Sequence, residues 1–210
     1  ATACRLADHG LPAVATHRMH DRHEFASGPW VLKPDDGVGC EGARLCADSD
    51  ELRDTWVGMG RPAGYIAQPY VYGEPASLSL LCQGGEIDLL CINRQRMNIR
   101  DNRFSLNTCE VNALSDHRAL VVGLVECLGA ALPGLWGYAG VDLILHESAV
   151  TLLEVNPRLT TSYAGLKTAL GVNPAQLVLS LAAGCDPGLG TGAGGAETIV
   201  EVELDGGHGL

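Results

Sequence analysis

Asp142, Glu154 and Asn156 stand in "DLILHESAVTLLEVNPR", a stretch otherwise dominated by leucine, isoleucine and valine. Two apolar runs flank the polar turn "ESA", which predicts a pair of antiparallel strands. If Asp142 lies opposite Glu154, residues 145 and 151 close a loop of about five residues, a common hairpin length. Opposed residues face alike and side chains repeat every second position, so Asp142, Glu154 and Asn156 would share one sheet face. Two carboxylates and an amide oxygen on a rigid face suit Mg2+, which takes few protein oxygens and leaves octahedral positions for water and phosphates. The competing reading, an exposed polar sheet face, leaves the hydrophobicity of the rest of the hairpin to be explained.

A second candidate is "GVGCEG", a G-x-G-x-x-G formed by Gly37, Gly39 and Gly42. A dinucleotide-binding loop opens directly into a helix, and this one runs into "ARLC" instead. A Walker A loop needs Gly-Lys-Ser/Thr after its last glycine, where this chain has Gly42-Ala43-Arg44. A kinase loop places its lysine after the glycines, whereas Lys33 precedes them. What remains is a hairpin flap: a strand-borne lysine and a glycine turn whose backbone amides can ring an anion. An ordinary hairpin turn is the alternative, since glycine makes up 27 of the 210 residues and such spacings arise by chance.

Other clusters point less clearly to chemistry. His17, His20 and His23 repeat every third residue, but no cysteine or carboxylate pattern completes a zinc site there, and a polar loop is the better reading. Eight cysteines (Cys4, Cys40, Cys46, Cys82, Cys91, Cys109, Cys127, Cys185) occur without a C-x-x-C pair, several inside apolar runs, as expected of small core residues in a reducing compartment. The formal charge of -11, with Lys33 and Lys167 the only lysines, disfavours nucleic acid as a partner. No apolar run approaches the ~18 residues of a membrane span, so the expectation is a cytoplasmic protein without a membrane partner.

The elements that must position these residues can be read from periodicity and punctuation. "PWVLKP" and "ARLC" predict strands on either side of the glycine loop, and "ADSDELRDTWVGMG" a helix with Asp48 and Glu51 as a capping-box-like start. "GYIAQPYV" predicts a further strand, and "ASLSLLCQGGEIDLLCINRQ" a hairpin turning at Gly84-Gly85. Leu120, Leu124, Leu128 and Ala131 mark one face of a helix with Ser115 as its expected N-cap. "TTSYAGLKTALG" and "NPAQLVLSLAAG" predict two more helices, the latter opened by Asn173-Pro174. Beyond Gly184 the glycine-rich tail predicts a linker, with one strand-like island at residues 198–204.

Taken in order and with their gaps, "WVLKPDDGVGCEG", "YIAQPYVYGE" and "GYAGVDLIL...VTLLEVNPRLTTSYAG" resemble the ATP-grasp superfamily, over roughly residues 13–170. Within it, the acidic "DGVGCEG" loop and the "NPRLTTSYAG" ending most resemble the tyramine-L-glutamate ligase group of methanofuran biosynthesis and its relatives in methylotrophic bacteria. The resemblance implies an α+β fold of two lobes gripping ATP, here cut as residues 1-70 (small lobe with the flap) and 71-210 (large lobe with metal and substrate site). It implies a ligase that joins a carboxylate, glutamate in this group, to a tyramine- or tyrosine-like amine through an acyl phosphate. ATP and Mg2+, with Mn2+ as a substitute, would be the cofactors. A non-catalytic ATP-binding module, or an ATP-grasp enzyme with another acceptor, is the alternative.

By the same resemblance, Lys33 contacts the ATP phosphates and Gly37, Gly39 and Gly42 form the flap. Gln68, Tyr70 and Val71 make the hinge around adenine, and Glu74 accepts from the ribose hydroxyls. Asp142, Glu154 and Asn156 match the magnesium ligands. Arg158 would point to the reacting carboxylate or acyl phosphate, where a guanidinium can offset charge as the phosphoryl group moves. Thr161 and Ser162 could add donors there, or simply cap a helix. In "INRQR" the strand alternation allows only one set to face the site, and Arg94 and Arg96 are taken as that set, for phosphate or an acidic substrate. The chain has no lysine before Lys33 and starts at what resembles the superfamily's central region. The expectation is therefore a chain without the preceding α/β domain, as a fragment, a natural truncation or one part of a split assembly, with a homo-oligomer as the alternative to a missing domain.

Overall fold

A computed structural model describes residues 2–21, 23–185, 187 and 198–204. The linker expected after Gly184 lies largely outside them. In chain order the elements are α1 (Thr2–Asp8), β1 (His17–Arg18), β2 (Trp30–Pro34), β3 (Arg44–Cys46), α2 (Ser49–Gly58), β4 (Tyr65–Pro69), β5 (Glu74–Gln83), β6 (Glu86–Arg100) and β7 (Arg103–Val111). A 3-10 turn (Ser115–His117) leads into α3 (Arg118–Ala131), followed by β8 (Gly137–Leu145), β9 (Val150–Asn156), α4 (Tyr163–Leu170), α5 (Pro174–Ala182) and β10 (Val200–Glu203). The class is α+β, as expected, and among the described residues the pairs β1–β4, β2–β3, β2–β4, β3–β7, β5–β6, β5–β8, β8–β9 and β7–β10 run antiparallel.

The chain forms two compact units, one from Val14–Tyr72 and Met97–Asn107, the other from Ala1–Ala13, Gly73–Arg96 and Thr108–Leu210. The division differs from a cut at residue 70 in two places: the N-terminal residues cluster with the later unit, and the tip of the β6–β7 hairpin with the earlier one. Strand pairing rather than chain order sets these contacts, for Leu152 donates its backbone N–H to Pro12 and Arg44 pairs with Arg103.

In the unit containing residues 14–72, β2 lies between β3 and β4. Trp30 and Leu32 are buried on one face with Cys46, Leu52 and Ala67, so α2 packs there through Leu52. Asp48 caps α2, its Oδ1 accepting from the backbone of Asp50 and Glu51 at 2.9 Å. The Glu51 side chain reaches back one residue further than a capping box requires, to Ala47 N at 2.6 Å.

In the other unit, β5 lies between β6 and β8, and β9 pairs with β8. The hairpin turns at Gly84 and Gly85, both at positive φ (60° and 92°), as the sequence predicts. Alternation splits the sheet residues between two faces. Ala76, Leu78, Leu80, Val141, Leu143 and Leu152 join the core with Leu6 of α1 and Val121, Val125 and Leu128 of α3. The other face, carrying Cys91 and Tyr138, packs against Leu166 and Ala169 of α4.

Two local expectations are corrected. Ser115 is not the cap of α3: the 3-10 turn intervenes, His117 takes the N-cap position, and no side chain caps it. Buried Leu114, whose N–H bonds Ile92 O, fixes the chain here, and it winds one tight turn before the helix opens. The β8–β9 loop has four residues, 146–149, since Leu145 pairs with Val150, and the missing residue is Leu153, bulged out next to the Asp142–Glu154 pair.

Candidate functional site

Asp142 does lie opposite Glu154, and Gly140 opposite Asn156, so the three candidate metal ligands share one face. Register extends that row across the sheet, with Ser77 paired to Asp142 on β5 and Asn93 paired to Ser77 on β6. Gln95, two residues beyond Asn93, falls on the same face. Its Nε2 donates to Asp142 Oδ1 at 2.8 Å, and Asn156 Nδ2 donates to Asp142 Oδ2 at 2.9 Å. Asn156 Oδ1 in turn accepts from Arg158 Nη2 at 3.0 Å. One chain of hydrogen bonds thus runs from Gln95 through Asp142 and Asn156 to Arg158. Hard oxygens of two carboxylates and an amide, on adjacent strands, are a donor set that fits Mg2+. Asn156 Oδ1 carries two lone pairs, so it can accept from Arg158 and still offer one to a cation.

Arg94 and Arg96 take the opposite face from Gln95, which corrects the expectation that they carry the site-facing set. Arg94 pairs with Ala76, on the core face, and the same alternation puts Arg96 there. There they form a polar cluster: Arg94 Nε donates to Glu74, Arg94 Nη1 to Glu110 Oε2 at 3.0 Å, and Arg96 Nε to Glu110 Oε1 at 2.5 Å. Glu74, the expected ribose acceptor, is therefore engaged by Arg94. The Arg96 hydrogen bond is the main influence holding the Glu110 carboxyl below the usual range; burial opposes it and Arg94 assists.

In the unit containing residues 14–72, Lys33 pairs with Ile66 and Val31 with Gln68, so Lys33 and Gln68 share the face turned away from α2. Gln68 is buried and donates Nε2 to Thr16 Oγ1 at 3.0 Å. Tyr70 and Val71 follow the end of β4. The Tyr70 N–H bonds Pro29 O at 2.9 Å, and its ring meets Tyr72 edge-on at 4.8 Å. The glycine loop joins β2 to β3 with no helix after it. Gly42 is favoured by its φ of 75°, and a Cβ there would be tight, at 3.1 Å from Pro34 Cγ and Tyr65 Oη.

The histidines do not converge on a metal position. His17 sits among His23, Phe25 and Trp30, and His20 meets Trp56 edge-on at 5.0 Å. Burial, then His23, lowers the His17 pKa. Among the described residues no group of three His, Cys, Asp or Glu side chains could hold a metal ion.

Sequence reasoning missed two features. The first is Gln95, whose facing toward Asp142 depends on the register of β6 and β8 against β5 and has no signal in the sequence. The second is a buried polar group of Ser77, Ser79, Asn93, Tyr138 and Ser162. Its signal was the alternation in "ASLSLL", where two serines occupy one face of an otherwise apolar strand.

This arrangement of strands and helices matches a known architecture. The model of the ATP-grasp domain family matches residues 1–162, and the chain belongs to that family. It is similar to tyramine-L-glutamate ligase of Methanocaldococcus jannaschii, 33% identical over 106 residues, which is 50% of this chain and 32% of the relative. The Methanocaldococcus fervens ligase of the same name is 37% identical over 106 residues, 50% of this chain and 34% of that one. The matched stretch thus spans only about a third of those relatives. An L-amino acid ligase from Bacillus licheniformis aligns with a TM-score of 0.70 and 25% identity, covering 85% of this chain and 45% of its own. Among the described residues, no helix is long and apolar enough to cross a membrane.

Proposed function

We propose that the chain is the nucleotide- and metal-binding part of an ATP-dependent ligase that joins a small carboxylate to an amine, with L-glutamate and a tyramine- or tyrosine-like amine as the substrate pair. The observation that carries this reading is the cross-strand pair Asp142–Glu154 with Asn156 beside it and Arg158 hydrogen-bonded to Asn156. The relatives named for glutamate and tyramine supply the substrate pair, and that part rests on half of this chain.

In the proposed reaction a carboxylate oxygen attacks the γ-phosphorus of ATP, the bond from that phosphorus to the β–γ bridging oxygen breaks, and ADP leaves with the bond's electron pair. The amine nitrogen then attacks the acyl carbon. The carbon–oxygen bond to phosphate breaks, the amine loses a proton to solvent, and an amide remains. Mg2+ at Asp142, Glu154 and Asn156 would neutralise phosphate charge and align the transferring group. Lys33 would bind phosphate oxygens, and the glycine loop would cover them with backbone amides. Gln68, Tyr70 and Val71 would border adenine, and Glu74 would reach the ribose with the carboxylate oxygen that Arg94 Nε leaves open, or after Arg94 releases it. Arg158 would hold the carboxylate and offset the charge developing on the acyl phosphate. Catalysis of this kind is positioning and charge stabilisation, so no single base is required.

The test is ADP release from the protein with Mg-ATP and L-glutamate, with and without tyramine or tyrosine, and mass spectrometry of the product. Amine-dependent ADP release with a glutamyl adduct is expected. Nucleotide binding without turnover, across a panel of acids and amines, would overturn the ligase reading. Replacing Glu154 by Gln should leave the fold intact and abolish nearly all ADP release, and wild-type turnover in that variant would remove the metal assignment.

A further inference from the structure

Beside the row that carries Asn156 lies a cluster of four side-chain hydroxyls drawn from two sheet strands and the segment after β9. Tyr138 Oη lies 2.9 Å from Thr160 Oγ1, 3.1 Å from Ser162 Oγ and 3.2 Å from Ser79 Oγ. Thr160 and Ser162 are 3.1 Å apart, and Ser162 is 3.0 Å from Ser79. Tyr138, Thr160 and Ser162 therefore close a ring of hydroxyls in which Tyr138 gives its one proton to Ser79 and can accept from Thr160 and Ser162. Asn93 Nδ2 donates to Ser79 Oγ at 3.1 Å, tying the ring to β6.

Three observations show that this seat is built for the segment above it. Ser162 occupies the N-cap position of α4 but makes no cap hydrogen bond, its hydroxyl being turned inward to the ring. Gly140 leaves the space that Thr160 fills, since a Cβ there would lie 2.5 Å from Thr160 Cγ2. Ser79 and Ser162 are 0% and 2% exposed, and an apolar contact would anchor the segment without burying hydroxyls. A satisfied buried network, by contrast, selects a single geometry.

Arg158 lies in the same segment, and among the described residues its hydrogen bonds go to Leu159 of that segment and to Asn156, the last residue of β9. Its N–H bonds Asn156 O at 2.8 Å, Nη2 bonds Asn156 Oδ1 at 3.0 Å and Nη1 bonds Leu159 O at 3.4 Å. The guanidinium is thus only as well placed as residues 156–160 are. We propose that the Ser79–Tyr138–Thr160–Ser162 cluster fixes residues 157–162 and so presents Arg158 to the substrate carboxylate, with Tyr138 as the central positioning residue. The arginine's role in this statement rests on the ligase reading above; the anchoring of the segment does not.

The experiment compares Tyr138→Phe and Thr160→Val, which keep shape and remove one hydroxyl each, with Thr160→Ser, which keeps the hydroxyl. Amide hydrogen exchange of residues 157–164 is read first. Faster exchange there in Tyr138→Phe and Thr160→Val, with the β5 and β8 amides unchanged and Thr160→Ser like wild type, is the expected result. Unchanged exchange in the segment overturns the proposal whatever the activity.

The second readout is carboxylate-dependent ADP release. Tyr138→Phe should lower kcat/KM for the carboxylate by about tenfold, as expected of a misplaced catalytic group, while nucleotide affinity stays within about twofold. In an Arg158→Ala background the same substitution should have no further effect, because its loss acts through the arginine. A tenfold loss that persists in that background overturns the positioning role. A wild-type protein that releases no ADP with any acid and amine overturns the ligase reading and the arginine role with it, while the exchange result still decides the anchoring.

Discussion

Gln95 Nε2 donates to Asp142 Oδ1 at 2.8 Å, an amide on β6 fixing a carboxylate on β8 across the intervening strand β5. With Asn156 on the other oxygen, Asp142 is oriented from both sides before any ligand arrives. Groups that orient a metal ligand matter for affinity as well as those that touch the metal. Gln95→Ala should therefore raise the Mg2+ concentration giving half-maximal ADP release by about tenfold. Titrating Mg2+ at fixed ATP checks it, and an unchanged Mg2+ dependence would make the contact purely structural.

Arg158 is exposed and, among the described residues, hydrogen-bonds only its near neighbours Asn156 and Leu159, so its removal should cost little stability. Arg158→Ala should reduce carboxylate-dependent turnover by about 100-fold or more, the order lost with a charge-stabilising group, and leave ATP binding largely intact. Steady-state kinetics beside fluorescence titration with a nucleotide analogue separates the two. Equal loss of both would place the arginine on the nucleotide instead.

Gly129 in α3 packs against the β5–β6 turn so closely that a Cβ would lie 2.1 Å from Gly85 O, a backbone atom that cannot step aside. Gly129→Ala should destabilise the protein by about 1–3 kcal/mol through overpacking. Gly123 in the same helix has nothing within 4 Å of its hypothetical Cβ. There the alanine should stabilise by about 0.5–1 kcal/mol through helix propensity. Urea midpoints of the two variants, expected on opposite sides of wild type, check both.

The ion-pair cluster gives stability an acid-side dependence. Arg96, and with it Arg94, lowers the folded-state pKa of Glu110 against the effect of burial. A depressed carboxyl contributes stability that is fully present above its unfolded pKa and is lost as pH falls through the lower folded value. Glu110→Gln should flatten that part of the pH–stability curve, between about pH 5 and the onset of acid unfolding, while lowering stability at neutral pH. Chemical denaturation over that range checks the slope, and an unchanged slope would mean that the pair is screened by solvent.

Much of this molecule is legible one residue at a time. The β8–β9 hairpin, the turn at Gly84-Gly85, the Asp48 cap and the Asn173-Pro174 start of α5 follow from local chemistry, because each depends on residues a few positions apart. The same locality made the shared face of Asp142, Glu154 and Asn156 accessible from strand alternation alone. It also failed at particular places. Ser115 has the side chain of a cap, but buried Leu114 dictates the backbone beside it. The bulge at Leu153 shortened a loop that counting made one residue longer.

The sequence by itself determined the antiparallel hairpins and the acidic pair facing together, since these rest on strand alternation and turn chemistry, and its motifs' resemblance to the ATP-grasp superfamily implied the α+β class. Only the tertiary structure decided that Gln95 rather than Arg94 or Arg96 meets Asp142, that Arg94 engages Glu74, and that Ser162 turns from its cap position to Tyr138 and Ser79. These contacts join residues 20 to 83 positions apart, and their partners are set by register across three strands, which no local pattern in the chain records.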